Sequence, residues 1–404
     1  MSTTRSADRR EPVTSPGGPI GLRQGFRLFF PAAGIWAAAA VAIWLAALLG
    51  RLTIPSAFGA LAWHAHEMIF GFVPAAIAGF LLTAIPNWTG RPPVRGMPLA
   101  VLLGLWLAGR AAVGTSALIG ATLAAILDLA FLAAIIGLAL REIVAAGNWR
   151  NLPIMVIVAT LFLANLLTHL DAIGVSSTGA AGQRLGIAVI VLLISMIGGR
   201  ITPSFTRNWL QLRGAPRLPR SHGVIDGAAI AAAIAALAIW VAAPRAAAGG
   251  GVLIAAAALL LIRLSRWEGR QTLGEPLLWS LHLAYAWVPI GLLLLGAGAL
   301  VPTLPASAGV HALTAGAIGS MTLAVMTRAT LGHSGRPLTA DRWTVVIYLC
   351  VTAAALLRVA APLLAEAYLA LLVASACAWI AAFGIFAWRY GRLALSNHAS
   401  GAAA

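Results

Sequence analysis

The chain has 404 residues, 61% of them hydrophobic and 9% charged, with a mean hydropathy of +0.92. So few charges cannot cover the surface of a soluble fold, which excludes the two or three water-soluble domains that the length would otherwise suggest. The net charge of +16 comes from 27 basic residues, all of them arginine; in so apolar a chain it reads as membrane topology and not as a nucleic-acid surface.

Twelve apolar stretches follow in chain order, near 26–50, 61–86, 97–115, 118–140, 152–171, 184–203, 223–243, 250–265, 276–300, 306–330, 343–364 and 367–391. Each is long enough for a helix crossing a bilayer core of about 30 Å. The fold expected is all-α, a polytopic membrane protein of about twelve transmembrane helices. Loops after even-numbered spans carry arginine (Arg91 and Arg95; Arg141 and Arg150; Arg207, Arg213, Arg217 and Arg220; Arg266 and Arg270; Arg336 and Arg342). Loops on the other side carry almost none, apart from Arg51, Arg245 and Arg358. The positive-inside rule therefore places those loops and both termini in the cytoplasm. Residues 1–25 lack an apolar signal core and are expected as a disordered tail, 26–392 as one twelve-helix domain, and 393–404 as a second cytoplasmic tail. Cys350 and Cys377 fall inside apolar spans and suggest neither a disulfide nor a thiolate metal site.

A weak repeat runs through the spans. His66, Gly71 and Thr89-Gly90-Arg91-Pro92 correspond to His311, Gly316 and Ser334-Gly335-Arg336-Pro337 at one constant offset. Pro203-Ser204-Phe205-Thr206-Arg207 ends the sixth span much as Pro86-Asn87-Trp88-Thr89-Gly90 ends the second. Either short motifs recur by chance in Gly- and Ala-rich helices, or the chain has three four-helix units, which would resemble the large subunit of haem–copper oxidases.

Ionisable groups inside a bilayer are costly unless paired or ligated. His64 and His66 open the second span, His169 closes the fifth and His311 opens the tenth, so all four share one depth, near the outer face. Two positions apart on a helix, His64 and His66 point to opposite sides and can serve two sites. Imidazole is a neutral ligand suited to haem iron and copper in a dry environment; a zinc helix of the H-E-x-x-H type is absent. Glu67, Arg184, Asn165 (one turn before His169) and Asp128 in the fourth span are supporting candidates; against them stands the ordinary role of helix–helix hydrogen bonding. Toward the cytoplasmic side, Glu275, His282, Tyr285, Arg328 and His333 suggest a quinol pocket, a second haem site or a proton entry, with interfacial anchoring as the simpler reading. No phosphate loop, nucleophile elbow or paired-carboxylate hydrolase signature is present.

These same stretches resemble the NnrS family of bacterial inner-membrane proteins: Trp63-His64-Ala65-His66-Glu67-Met68, Leu81 to Pro92, Trp149-Arg150-Asn151-Leu152-Pro153, Gly198-Gly199-Arg200, Phe205-Thr206-Arg207-Asn208-Trp209, Glu275-Pro276-Leu277, His311-Ala312-Leu313-Thr314 and Met326-Thr327-Arg328. The resemblance implies a protein containing haem b and copper, acting in nitric oxide metabolism, denitrification and resistance to nitrosative stress. It leaves three functions open: an oxidoreductase that reduces nitric oxide with electrons from quinol or another donor, a non-catalytic nitric oxide-binding or metal-handling protein, and a twelve-helix transporter. The adjacent His-His pair and His-x-x-x-Tyr spacing of oxidases are missing.

Overall fold

The computed structural model describes residues 18–396. Among them are twelve helices long and apolar enough to cross a membrane: α1 Gly25–Leu48, α2 Gly59–Thr89, α3 Met97–Gly114, α4 Ala121–Ala145, α5 Trp149–Ile173, α6 Gly179–Gln211, α7 Val224–Ala242, α8 Ala247–Ser265, α9 Pro276–Leu300, α10 Ala306–His333, α11 Arg342–Leu363 and α12 Ala365–Leu395. Proline at the first turn starts α3 and α9, where its missing N–H leaves no bond unmade. Gly90 and Gly174 end α2 and α5 in the left-handed conformation that only glycine adopts without strain.

Most ends fall within five residues of expectation, α4 running on to Ala145 with Arg141 inside it and α6 starting at Gly179; two further ends reach into segments expected as loop or tail. Helix α6 runs eight residues past the apolar stretch, to Gln211, because the polar segment Ser204–Gln211 keeps helical spacing after leaving the apolar zone, and hydropathy registers only the zone. Helix α12 continues to Leu395, into the segment expected as a tail. At the other end a short turn, Ile20–Arg23, precedes α1. Residues 1–17 and 397–404, the bulk of both expected tails together with His398, lie outside the described residues.

The helices pack in a closed order. Helices α3 with α4, α7 with α8 and α11 with α12 form hairpins. Helix α4 meets α5, α8 meets α9, and α12 returns to α1. Helices α2, α6 and α10 touch one another at the centre, each flanked by members of its own group of four. This is a pseudo-threefold arrangement of four-helix units. The central helices are also the most buried, 78%, 61% and 67% of their apolar windows lying inside the protein, against 50% or less for every other helix. Each central helix widens into a π-helical segment: Glu67–Phe72 in α2, Ile194–Gly198 in α6 and Ala312–Gly319 in α10. Such segments insert an extra residue and rotate the faces on either side, a device that clusters at functional sites. Helices α8 and α9 approach so closely that a Cβ on Gly250 would sit 2.8 Å from the Gly296 carbonyl oxygen, so the contact depends on glycine.

The starts of odd-numbered helices and the arginine-bearing loops share one end of the bundle, called here the arginine-rich end; the opposite end is arginine-poor.

Candidate metal centre

Near the arginine-poor end, α2, α3, α4 and α5 enclose a charged cluster in an otherwise apolar bundle. Its centre is Arg110 of α3, 4% exposed. The guanidinium donates through Nη1 to Glu67 Oε2 at 2.6 Å and through Nη2 to Asp128 Oδ1. Trp36 Nε1 donates to the same Glu67 oxygen at 2.7 Å, and Asn165 Nδ2 donates to Asp128 Oδ2 at 2.7 Å. His66 lies between the carboxylates, with Nδ1 3.3 Å from Glu67 Oε1 and Nε2 2.9 Å from Asn165 Oδ1 and 3.4 Å from Asp128 Oδ2. His169 Nε2 is 2.9 Å from Asp128 Oδ2, and its Nδ1 is buried without a partner. Gly71, inside the π-helical segment, makes room: a Cβ there would press on Arg110 Nη1, on Glu67 Oε2 and, at 2.9 Å, on Trp36 Nε1.

Two carboxylates against one guanidinium leave one negative charge in excess when both imidazoles are neutral. Breaking a buried ion pair costs several kcal/mol, and an unbalanced charge in a bilayer is as unfavourable. The imbalance is answered by a bound cation or a proton. His66, Asp128 and His169 each present a ligand atom within 4.8 Å of the others, all three buried, and imidazole with carboxylate is a donor set for a transition metal.

His64 faces the other way. It lines a cavity of about 670 Å³, of the size that takes a cofactor or drug-sized ligand, between α1, α2, α6, α10, α11 and α12. His311 and Arg358 line the same cavity. His64 stacks on Trp44 with ring centroids 4.2 Å apart, and its Nδ1 is buried without a partner. His311 Nδ1 bonds the Ser307 carbonyl at 2.7 Å, which fixes the tautomer and frees Nε2. Arg358 Nη1 is buried and unpartnered. Two imidazoles and a guanidinium in an apolar, aromatic-walled space fit a planar metal-bearing ligand with acidic substituents. Phe58, at the start of α2, lines this cavity and packs against His66 and His169 with centroids 4.8 and 5.4 Å away. One aromatic ring separates the two places.

The four histidines expected as one outer centre are divided into two pairs, His66 with His169 in the cluster and His64 with His311 on the cavity. Asp128 and Asn165 stand in the cluster, and Glu67 joins it. Arg184 does not reach either place: its guanidinium donates to the Val241 carbonyl at 3.1 and 3.2 Å, tying α6 to α7.

The set expected toward the arginine-rich end is brought together only in part. Glu275 caps α9, accepting from the Leu277 amide at 3.2 Å. His282 Nε2 meets Thr206 Oγ1 at 2.9 Å, and Tyr285 Oη accepts from Arg263 at 2.8 Å, within a buried network that includes Asp226. Arg328 and His333 instead line a separate cavity between the central helices, Arg328 lying 4.2 Å over the Phe205 ring. The residues of α9 meet different neighbours, so helical spacing along α9 alone does not make a site.

Arg110 and Arg263 escaped the sequence reading, which tallied arginines by loop. Both lie inside apolar spans, and an arginine within a span is itself the signal that a buried acid waits on a neighbouring helix. Arg358, read as a loop residue, lies within α11.

The chain matches the NnrS family (NnrS protein) over residues 21–397 and belongs to it. No curated protein matches the chain.

Proposed function

We propose that this NnrS-family chain is a haem- and copper-containing protein of the bacterial inner membrane, with both termini cytoplasmic, that reduces nitric oxide. His66, His169 and Asp128 would hold a copper ion. His64 and His311 would hold haem b in the neighbouring cavity, where Arg358 would answer its acidic substituents. The observation that carries the reading is the pairing of histidines on either side of Phe58, one pair in a cluster lacking one positive charge.

Bound in these two places, the haem and copper would supply the redox chemistry that joins two nitric oxide molecules. The overall step is two nitric oxide molecules, two electrons and two protons giving nitrous oxide and water; the electrons come from membrane quinol or a periplasmic donor. The protein's part is to hold the ligands, exclude water and position protons: Glu67 and Asp128, restrained by Arg110, are the acids nearest the pair. Were both His64 and His311 to hold the haem, the group would serve electron transfer and not nitric oxide turnover.

The test is purified protein with metal analysis and an optical spectrum, followed by anaerobic nitric oxide with reductant. Catalytic consumption with nitrous oxide released at half the amount supports the proposal. Stoichiometric binding without turnover, from fully metallated protein, overturns the reductase and leaves the binding protein.

A further inference from the structure

A second cavity, of about 480 Å³, opens on the pseudo-threefold axis at the arginine-rich end. It stands apart from the metal centre: Glu67 and Ala84, which mark the two places along α2, are seventeen residues apart, roughly 25 Å along a helix. Its mouth is polar, with Asn87, Arg200 and His333 exposed. Its floor is apolar, formed by Phe30, Leu281 and Val325. A smaller apolar void of about 90 Å³ continues from that floor between α2, α6 and α10.

The charge here is one-sided. Arg200 of α6 and Arg328 of α10 both line the cavity, and no carboxylate does. No ion pair among the described residues takes up either guanidinium; Glu275 acts on Arg328 only through space. Other in-span arginines, Arg110 and Arg263, are tightly bonded to acids. Half-buried Arg328 has the Phe205 ring beside it and Arg200 is exposed at the mouth, so two guanidiniums without a bonded acid make the cavity favour an anion, and the guanidinium fork suits carboxylate geometry.

We infer that this cavity binds an organic anion entering from the arginine-rich side, with a carboxylate held between Arg200 and Arg328 and an apolar body seated on the Phe30–Val325 floor. A bare inorganic oxyanion would leave that floor unused, and a neutral apolar ligand would leave both guanidiniums unanswered.

The full-length protein in phosphatidylcholine nanodiscs is titrated with 1-naphthoate, its neutral amide and nitrate, with binding read by naphthalene fluorescence, calorimetry and thermal shift. Saturable naphthoate binding, with the amide and nitrate each at least about ten-fold weaker, is expected. Arg328→Gln should weaken naphthoate by a similar factor and leave the amide unchanged. Val325→Phe should remove naphthoate binding; Ala84→Leu, a smaller intrusion into the same space, does so if the first variant does not fold. No naphthoate binding, equal binding of the amide, equal binding of nitrate, or naphthoate binding indifferent to Arg328 would each overturn the inference.

Discussion

Replacing Arg110 by glutamine removes the guanidinium that both carboxylates share and leaves Glu67 and Asp128 buried without it. Arg110, Glu67 and Asp128 have side chains no more than 4% exposed, so solvent does not screen the loss. Breaking a buried pair costs about 3–5 kcal/mol, and for a chain of this size that lowers an apparent Tm by about 4–6 °C. Arg95→Gln, in an exposed loop, is the control and should change it by less than about 1 °C. Adding Glu67→Gln to Arg110→Gln returns the cluster to one excess negative charge. The double variant should recover about 1–3 kcal/mol of the loss, the usual coupling between groups in one network. Thermal unfolding in detergent, followed by size-exclusion chromatography of a fluorescent fusion, measures all four proteins. If Arg110→Gln unfolds with the control, or if Glu67→Gln deepens the loss, the charge balance argued for the cluster is wrong.

Other consequences are as direct. Gly71→Ala should cost about 1–3 kcal/mol and lower bound metal, since its Cβ meets Arg110, Glu67 and Trp36; metal analysis and Tm check it. His66→Ala and His169→Ala should each empty one metal, and His64→Ala and His311→Ala should alter a separate optical signal, while His222→Ala, with its side chain 67% exposed, alters neither. Phe58→Ala should make metal removal from the cluster by a chelator faster, because that ring stands between cluster and cavity; an unchanged rate shows the metal leaves by another path. Burial acts to raise the Asp341 carboxyl, but hydrogen bonds from Thr344 and Arg389 outweigh it and hold the group below the usual carboxylate range. Its stabilising contribution is therefore complete above about pH 4 and lost as pH falls through the lowered folded-state value. Asp341→Asn should flatten that acid limb of the Tm–pH profile and leave neutral pH less affected.

The twelve helices were legible because hydropathy is a one-dimensional signal, and every expected span has its helix in the structure. What lay hidden was sideways. Asp128 was recognised as a costly residue, but its partner Arg110 lies eighteen positions earlier on another helix, and no spacing rule links them. The constant offset relating His66 to His311 marks corresponding turns, since the π-helical segments begin at Glu67 and Ala312. It does not give corresponding chemistry: alanine stands where the first unit has Glu67, so the charged cluster is built once. Opposed faces for His64 and His66 followed from helical geometry, whereas Phe58 as the partition between them did not, because it sits in the approach to α2 and carries no chemical signature.

The Glu67–Arg110–Asp128 bridge also bears on how the chain enters its membrane. The three residues sit on three successive helices, acid, base and acid, in the order in which the ribosome delivers them. Helix α3, at 18 residues the shortest of the twelve, carries Arg110 four residues from its end, where an arginine still raises the cost of lone insertion, by less than the roughly 2.5–3.5 kcal/mol of a central one. Glu67 is already present on the preceding helix to neutralise it, and Asp128 follows on the next. Helices α2 to α4 are thus better suited to leave the translocon together than one at a time, so that in this part of the chain a tertiary contact becomes a step of biogenesis.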